Sequence, residues 1–410
     1  MVQTEAHKIT PNIAFDPVSG NTQKDPNTMN ASDNFSFDTI VDRHNTNSAK
    51  WDKYKHQDVI PLWVADTDFK AAPVIQQALE DRVKHGVFGY TRTDEQCNQV
   101  VADYYQKKYN CHVEPNWVVW VPGIVASLTL AIRSLSKQHS QVFTPDIVYP
   151  YFHTTPAAAG KQANHLAMTY AQDRVRIDID ALEKRNAQDA RVMLFCNPQN
   201  PGGAIYSREE LLRIDAYCEA NNLILVSDEI HADIILDEDK QHIPYLDVSD
   251  HAHNNSIVLG AASKAFNVAG LACSWAVIPN DKLRRAFINE MHGIISEINP
   301  FGYTATLTAL THGDEWLAAM NGYLCDNRDY LMEQLNDIKG LRMLPLESTF
   351  LAWIDVSELN LEDPCAFFET AGVGLSPGSN FNDTNFMRLN FGCPKAVLEE
   401  AVSRIRKALT

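Results

Sequence analysis

Three residues with reactive or polar side chains, Asn200, Asp228 and Lys264, each follow a short apolar run. A lysine amine can form an imine with an aldehyde and can carry protons, a carboxylate can neutralise a cation, and an amide can donate hydrogen bonds. Taken singly, each has an ordinary interpretation, because Asn200 lies in a turn, aspartate is a common helix N-cap and most lysines are exposed. Together, at three strand ends in this order, they indicate a binding site.

An amine, a carboxylate and an amide donor are together what a pyridoxal 5′-phosphate (PLP) site requires. The amine binds the aldehyde of the cofactor. The carboxylate keeps the pyridine nitrogen protonated, so that the ring draws electrons from the bound substrate. Burial and a neighbouring cationic ring are expected to lower the pKa of Lys264 and to make it a nucleophile and a base. The three residues therefore predict a PLP site.

The apolar runs before these residues predict strands that are buried on both faces. They are Trp117–Val121, Val192–Cys196, Leu223–Ser227 and Ile257–Gly260. Apolar and polar residues do not alternate within them, and stretches with helical spacing, such as Ala72–Val83 and Ile124–Leu135, accompany them. This rhythm is typical of an α/β fold with a mostly parallel central sheet flanked by helices. Ligands of such sheets bind at the carboxyl ends of the strands, where Asn200, Asp228 and Lys264 stand.

We predict four parts in the chain: a flexible tail at residues 1–33, an N-terminal part of a small domain at 34–72, a large PLP-binding domain at 73–302 and a C-terminal part of the small domain at 303–410. The tail is rich in Asn, Thr, Asp and Pro and has no apolar period, so it cannot bury enough surface to offset the entropy of ordering. Over residues 303–335 the spacing predicts a long amphipathic helical stretch. Strands at Phe350–Ile354 and Phe386–Phe391 and a last helix at Lys395–Leu409 complete a smaller α+β domain.

The composition excludes some classes of partner. With 52 acidic against 35 basic residues, the 410-residue chain has a formal net charge of −17, whereas nucleic acids and anionic membranes are bound through clusters of Lys and Arg. No run of about 20 apolar residues could span a bilayer. The eight cysteines are scattered without a C-x-x-C pair, which favours free thiols in the cytoplasm. No Cys/His spacing predicts a metal site.

Longer motifs around the three residues carry a family resemblance. They are Asn197–Gly203, Ser227–His231 and Ser263–Asn267, together with Asp42–His44, Lys50–Asp52, Pro61–Phe69, His85–Tyr90 and Arg388–Pro394. In this order they resemble the fold-type-I, PLP-dependent class I/II aminotransferase superfamily, and within it the cystathionine β-lyase branch, the MalY/PatB-type carbon–sulfur lyases. The resemblance covers about residues 35–409. It implies a β-lyase of methionine biosynthesis that cleaves L-cystathionine or related cysteine S-conjugates.

The resemblance also implies roles for the residues that hold the cofactor. Lys264 binds PLP covalently, with Ser263 beside it. Asp228 pairs with the pyridine nitrogen and Asn200 donates to the phenolic oxygen. His231 stands where the lyase branch commonly carries histidine and most aminotransferases carry tyrosine. The other interpretation of His231 is a packed histidine on a helix that follows the strand.

The ring and the phosphate of the cofactor have further predicted contacts. Tyr149 matches an aromatic residue that stacks on the pyridine face. We expect the phosphate at the start of the helix predicted from Ile124, where the backbone N–H groups of Gly123, Ile124 and Val125 point into the positive helix end. Tyr90 matches a tyrosine that reaches the phosphate from the neighbouring subunit. The resemblance therefore implies a homodimer with the active site at its interface.

For the substrate, the resemblance implies that Arg388 clamps the α-carboxylate with its planar guanidinium, next to Asn200 and the backbone of Ala65. Four positions depart from the family: Thr67 stands where the lyase branch usually carries Met, Gly202 stands where Thr is frequent, and the other two are alanines. Ala261 stands where many relatives carry Ser or Thr as a phosphate ligand, and Ala272 stands where aminotransferases often carry an arginine. These departures concern the affinity for the phosphate more than the chemistry.

Two other functions remain open. A PLP-dependent aminotransferase would use the same Lys264, Asp228 and Asn200 but would return the proton to the cofactor rather than expel a group from Cβ. His231 and Ala272 favour the lyase by resemblance only. A regulatory protein built on the same fold is the second alternative, since some relatives combine lyase activity with regulation of a partner protein. The residue chemistry alone does not separate these alternatives.

Overall fold

The computed structural model describes residues 35–410, and the tail predicted at residues 1–33 lies outside them. The strands are β1 (Ile60–Pro61), β2 (Val118–Val121), β3 (Gln141–Pro145), β4 (Gln162–Leu166), β5 (Met168–Thr169), β6 (Arg176–Ile177), β7 (Ala190–Cys196), β8 (Ile224–Asp228), β9 (Ser256–Gly260), β10 (Ser274–Val277), β11 (Arg342–Met343), β12 (Leu351–Asp355), β13 (Val373–Gly374), β14 (Ser376–Pro377) and β15 (Phe386–Asn390). The helices are α1 (Pro73–His85), α2 (Glu95–Tyr109), α3 (Ile124–Leu135), α4 (Tyr151–Ala158), α5 (Ile179–Leu182), α6 (Arg208–Ala220), α7 (Asp250–Asn254), α8 (Asp281–Met291), α9 (Pro300–His312), α10 (Asp314–Asn336), α11 (Pro364–Thr370) and α12 (Lys395–Leu409). Within the described range, no helix combines the length and the apolar character that crossing a membrane requires.

The seven-stranded central sheet has the order β2-β10-β9-β8-β7-β3-β4. Strands β4, β3, β7, β8 and β9 run parallel, and β10 lies antiparallel between β9 and β2. Nearly every residue of β7, β8 and β9 is buried, which is why these strands show no polar alternation and form the middle of the sheet. The fold class predicted from the sequence is confirmed.

Side chains of the central strands alternate between two apolar cores on opposite faces of the sheet. Met193 and Leu225 belong to one core, whereas Val192 and Val226 belong to the other, together with Leu128 of α3. Since both faces are apolar, polar side chains of these strands find room only where the strands end.

A second, antiparallel sheet has the order β11-β12-β15-β14, and its apolar core includes side chains of α10, α11 and α12. Strand β1 pairs in parallel with β13, with Ile60 opposite Val373, so the segment before α1 joins this smaller α+β unit. Arg388 lies on β15, opposite Trp353 of β12 and Ser376 of β14. The boundaries between the two domains remain a prediction.

The long helical stretch predicted over residues 303–335 is helical, but it is divided into two helices, α9 and α10, which meet at Gly313. A Cβ atom at Gly313 would lie 2.3 Å from the ring of Phe266 and 2.5 Å from the carbonyl oxygen of Ala309. Only glycine leaves room for this approach, which brings the end of α9 against the loop of Lys264. The apolar spacing continues across the break, so the sequence pattern does not show it.

Candidate active site

The carboxyl ends of β7, β8 and β9 meet at one edge of the central sheet and bring Asn200, Asp228 and Lys264 to a single cavity of about 260 Å³. Seven other residues that the sequence assigned to the site also line this cavity: Ala65, Gly123, Ile124, Val125, Tyr149, His231 and Ser263. The parallel arrangement explains why residues far apart in sequence gather here, since the strand ends are adjacent in the sheet although a helix intervenes between successive strands.

Asp228 is the last residue of β8, and its side chain is only 3% exposed. Its Oδ1 accepts a hydrogen bond of 3.1 Å from the backbone N–H of Ile230. Burial raises the pKa of this carboxyl to about 7, against the lowering effects of that backbone N–H and of Lys264. A buried carboxyl at the base of a cavity is suited to a cationic ring nitrogen, which would return its pKa toward the ordinary value.

Lys264 extends into the same cavity and donates a hydrogen bond of 2.7 Å to the carbonyl oxygen of Ala65. Burial lowers the pKa of its amine to about 8, whereas Asp66 and Asp228 raise it and Arg388 lowers it further. Near neutral pH the amine is therefore present in both protonation states. That balance is what an amine needs in order to attack an aldehyde and then to carry a proton.

Arg388 reaches the site from the second sheet and is only 5% exposed. Its Nη1 donates to Oδ1 of Asn200 at 3.0 Å, and its Nη2 donates to the carbonyl oxygen of Trp63 at 2.9 Å. Among residues 35–410, its Nε has no hydrogen-bond partner. Phe381 lies under the guanidinium at 4.7 Å from the ring centroid. Burial lowers the pKa of Arg388 to about 10, so this cation is suited to a carboxylate ligand.

The bond from Arg388 also fixes the amide of Asn200. Because Oδ1 of Asn200 accepts from Nη1 of Arg388, its Nδ2 is the end that remains to donate into the cavity. Arg388 itself does not line the cavity but lies behind Asn200. Asn200, the predicted cofactor contact, and Arg388, the predicted substrate contact, are therefore hydrogen-bonded to each other.

His231 and Tyr149 line the cavity as neutral groups. His231 is 2% exposed, and burial together with Lys264 and Arg388 lowers its pKa to about 3. Burial raises the pKa of Tyr149 to about 12. The residues after β8 form turns, so neither the helix considered for His231 nor an N-cap role for Asp228 exists. His231 packs edge-on to Phe350, with ring centroids 6.2 Å apart.

The start of α3 closes the other end of the cavity. Gly123 has a φ of 112°, and its N–H donates to the carbonyl oxygen of Val121 at 2.8 Å and to Oγ of Ser274 at 3.0 Å. The expectation that this N–H points to a phosphate is therefore wrong. Ile124 and Val125 are the first two residues of α3. The N–H groups of the first turn of a helix have no acceptor within that helix. These two remain as the backbone donors for an anion.

Tyr90 and Arg388 are the predicted site residues that do not line the cavity. Arg388 is bonded to the lining residue Asn200, whereas the side chain of Tyr90 is fully exposed. Val83, Val87, Phe88 and Ile294 are further large apolar side chains that are more than half exposed. The connection between α1 and α2 thus presents apolar surface to its surroundings. No contact inside the described part of the chain explains why a tyrosine stands at position 90.

Two asparagines that the sequence did not single out hold the segment 63–69 beside the site. Asn267, three residues after Lys264, accepts from the N–H of Thr67 and donates to two carbonyl oxygens of this segment. Asn390, two residues after Arg388, donates to the carbonyl oxygens of Val64 and Asp66. Both lie inside motifs of the family resemblance, but bonds to distant backbone atoms leave no pattern in the sequence.

These residues fit PLP. The fit rests on the buried carboxyl of Asp228, the amine of Lys264 in the same cavity, the oriented amide of Asn200 and the first N–H groups of α3. The departures at Ala261 and Ala272 are also visible, since both line the cavity without a polar side chain. Among residues 35–410, no group of three or more His, Cys, Asp or Glu side chains could hold a metal ion.

Comparison with known proteins agrees with this arrangement. The chain is 33% identical over 389 residues to the cystathionine β-lyase PatB of Bacillus subtilis (strain 168), which covers 91% of this chain and 100% of that protein. It is similar to the crystal structure of OvoB, with a TM-score of 0.88, 41% identity and coverage of 92% and 99% of the two chains. It is also similar to the PLP-bound C-S lyase of Staphylococcus hominis, with a TM-score of 0.85, 29% identity and coverage of 92% and 99%. The model of the family described as aminotransferase class I and II matches residues 57–405, and the chain therefore belongs to that family.

Proposed function

We propose that the protein is a PLP-dependent carbon–sulfur β-lyase that cleaves L-cystathionine and related cysteine S-conjugates to a thiol, pyruvate and ammonia. The observation that carries the proposal is the single cavity that holds the amine of Lys264, the buried carboxyl of Asp228 and the amide of Asn200, backed by Arg388. The names of similar proteins, among them the cystathionine β-lyase PatB and a C-S lyase, support the choice of reaction.

The residues of the cavity divide the work between them. Bound PLP supplies an aldehyde for the amine and a protonated ring that withdraws electrons from Cα of the substrate. Asp228 holds the proton on the ring nitrogen, and Asn200 orients the phenolic oxygen. The free amine of Lys264 takes the proton from Cα, after which the thiolate leaves from Cβ. A thiol with a pKa of about 8.5 is a good leaving group.

The substrate is held at its carboxylate. We propose that Arg388 binds this group, because its guanidinium is buried and its Nε has no partner in residues 35–410. Such charge-assisted bonds fix the amino acid with its Cα proton toward Lys264. His231 has a lowered pKa, so it contributes a neutral imidazole at the cavity wall and not a second cation.

A substrate panel tests the reaction. With L-cystathionine and S-alkyl cysteines, we expect pyruvate, ammonia and thiol in equal amounts without any added oxo acid, and with L-cystine we expect pyruvate, ammonia and the persulfide of cysteine in equal amounts. Methyl esters of the same compounds should react at least about 10-fold more slowly, because they lack the charge that Arg388 binds. Methionine, which has no leaving group at Cβ, serves as the control. Strict dependence of turnover on an oxo-acid acceptor would identify an aminotransferase instead.

We further propose a homodimer in which Tyr90 contacts the cofactor phosphate of the neighbouring subunit. The exposed side chains of Val87 and Phe88, close in sequence to the fully exposed Tyr90, support this arrangement, because clustered exposed apolar side chains are typical of protein contacts. The eight cysteines are free thiols, which supports a reducing, cytoplasmic location.

Removing the hydroxyl group of Tyr90 tests whether two subunits share the active site. Tyr90→Phe should weaken PLP binding by about 10-fold or more, since a hydrogen bond to a charged phosphate is lost, and the variant should still sediment as a dimer. Tyr330→Phe, at a partly buried position of α10 that does not line the cavity, is the control and should bind PLP like the unmodified protein. A monomer in sedimentation, or equal PLP affinity in both variants, contradicts the proposal.

A further inference from the structure

Asn267 joins the loop that carries Lys264 to the segment 63–69. Its Oδ1 accepts from the N–H of Thr67 at 3.1 Å, and its Nδ2 donates to the carbonyl oxygens of Thr67 at 2.9 Å and Phe69 at 2.7 Å. Lys264 donates to the carbonyl oxygen of Ala65, two residues before Thr67. The lysine and the asparagine that follows it three residues later therefore bind the same short segment.

Other side chains occupy most of the remaining carbonyl groups of this segment. Asn390 donates to the carbonyl oxygens at positions 64 and 66, and Arg43 donates to that of position 67. Arg43 also pairs with Asp66 and Asp68 at 2.7 and 2.6 Å. The carbonyl of Ala65 is thus held at a defined position between two fixed neighbours, and it is the one that faces Lys264.

We propose that Asn267 is a positioning residue of this lyase: it sets the carbonyl of Ala65 against Lys264, so that the amine released from the cofactor is held ready to take the Cα proton. The inference rests on the proposed function. A lysine side chain has many rotamers, and an acceptor at one fixed point selects the conformer that leaves the lone pair for the substrate. Asn267 itself touches neither the amine nor the cavity.

The same carbonyl favours the charged form of the amine, because an ammonium group donates the stronger hydrogen bond. The other charges that act on Lys264 are Asp66, Asp228 and Arg388, and the further titratable groups that share its cavity are His231, Tyr149, Cys196 and Cys273. Asp228 and Arg388 lie outside the segment 63–69, and Asp66 keeps its ion pair with Arg43 when Asn267 changes. A shifted titration of Lys264 in an Asn267 variant therefore reports the lost or displaced Ala65 carbonyl.

Two variants separate this role from simple folding. Asn267 has a φ of 55°, a conformation that glycine adopts freely, so Asn267→Gly removes the side chain without backbone strain. Asn267→Ser adds no charge near Lys264 but lacks the amide N–H groups that donate to the carbonyl oxygens of Thr67 and Phe69. Asn360→Gly is the matched control, since Asn360 is exposed and also has a positive φ of 50°.

The first readout does not depend on lyase activity. The rate at which the cofactor-free, full-length protein captures PLP is followed by absorbance against pH, and it tracks the neutral fraction of Lys264. In both Asn267 variants we expect the midpoint to fall by about one pH unit, a tenfold change in the protonation equilibrium. The second readout is kcat of the holoenzyme, which should fall about 10-fold or more while KM changes less than about threefold.

Asn360→Gly should match the unmodified protein in both readouts. The inference is overturned if both Asn267 variants titrate at the original midpoint, or if kcat falls only in proportion to a lower content of bound PLP. Should Asn267→Gly fail to fold, the midpoint of Asn267→Ser decides alone. If the protein proved to lack lyase activity, the PLP-capture midpoint would still test Asn267, so the two proposals fail separately.

Discussion

Replacing Lys264 with alanine is expected to lower the rate of pyruvate formation by at least about 10³-fold, because one side chain is lost that serves both as nucleophile and as base. The cavity has no substitute for it. His231 carries a lowered pKa of about 3 and Tyr149 a raised pKa of about 12, so neither exchanges a proton with Cα near neutral pH as readily as an amine with a pKa of about 8. The thermal stability of the variant should stay close to that of the unmodified protein.

A second measurement separates lost chemistry from lost cofactor. Borohydride should fix PLP to the unmodified protein and increase its mass, whereas the Lys264→Ala variant should gain no mass even when saturated with PLP. Lys282→Ala, at an exposed position of α8, is the control and should behave like the unmodified protein in both assays. A Lys264→Ala variant that keeps more than about a tenth of the activity refutes the assignment of Lys264.

The strand ends could be predicted because buried parallel strands leave a strong sequence pattern. A strand that packs on both faces must be apolar throughout, so the polar residue that ends it, such as Asp228, stands out. The order of the strands in the sheet then decides which ends are neighbours, and here β7, β8 and β9 are adjacent. Asn200, Asp228 and Lys264 meet for this reason.

Contacts made through the backbone could not be predicted in this way. The N–H of Gly123 turns to Ser274 because β10, whose first residue is Ser274, pairs with β2, and no local motif reports that pairing. Asn267 binds backbone groups of Thr67 and Phe69, which any residue could provide. The Gly313 break depends on the ring of Phe266, far away in sequence. Such contacts follow from the tertiary structure and not from local residue patterns.

Changing Asp228 to asparagine should separate stability from function. The variant keeps the size of the side chain but cannot neutralise the protonated ring nitrogen, so the electron-withdrawing form of the cofactor is lost. We expect pyruvate formation to fall by at least about 10²-fold, with PLP still attached to Lys264. A small decrease, less than about threefold, would show that another group holds the ring nitrogen.

The cofactor-free form of the same variant should be more stable than the unmodified protein, and the gain should grow with pH. The folded pKa of Asp228, about 7, lies above its ordinary value of 3.8, so between these values the folded state binds more protons than the unfolded state, and stability falls as pH rises. Asparagine does not titrate, so the variant does not lose stability in this way as pH rises. We therefore expect little difference from the unmodified protein near pH 4 and a gain in the free energy of unfolding on the order of 1–4 kcal/mol at pH 7.5, measured by urea unfolding.

Asp239→Asn, in an exposed turn, is the control and should show no such pH-dependent gain. Because PLP supplies the missing cation, its addition should stabilise the unmodified protein more than the variant, which links the buried carboxyl of Asp228 to cofactor binding and not to the stability of the empty fold.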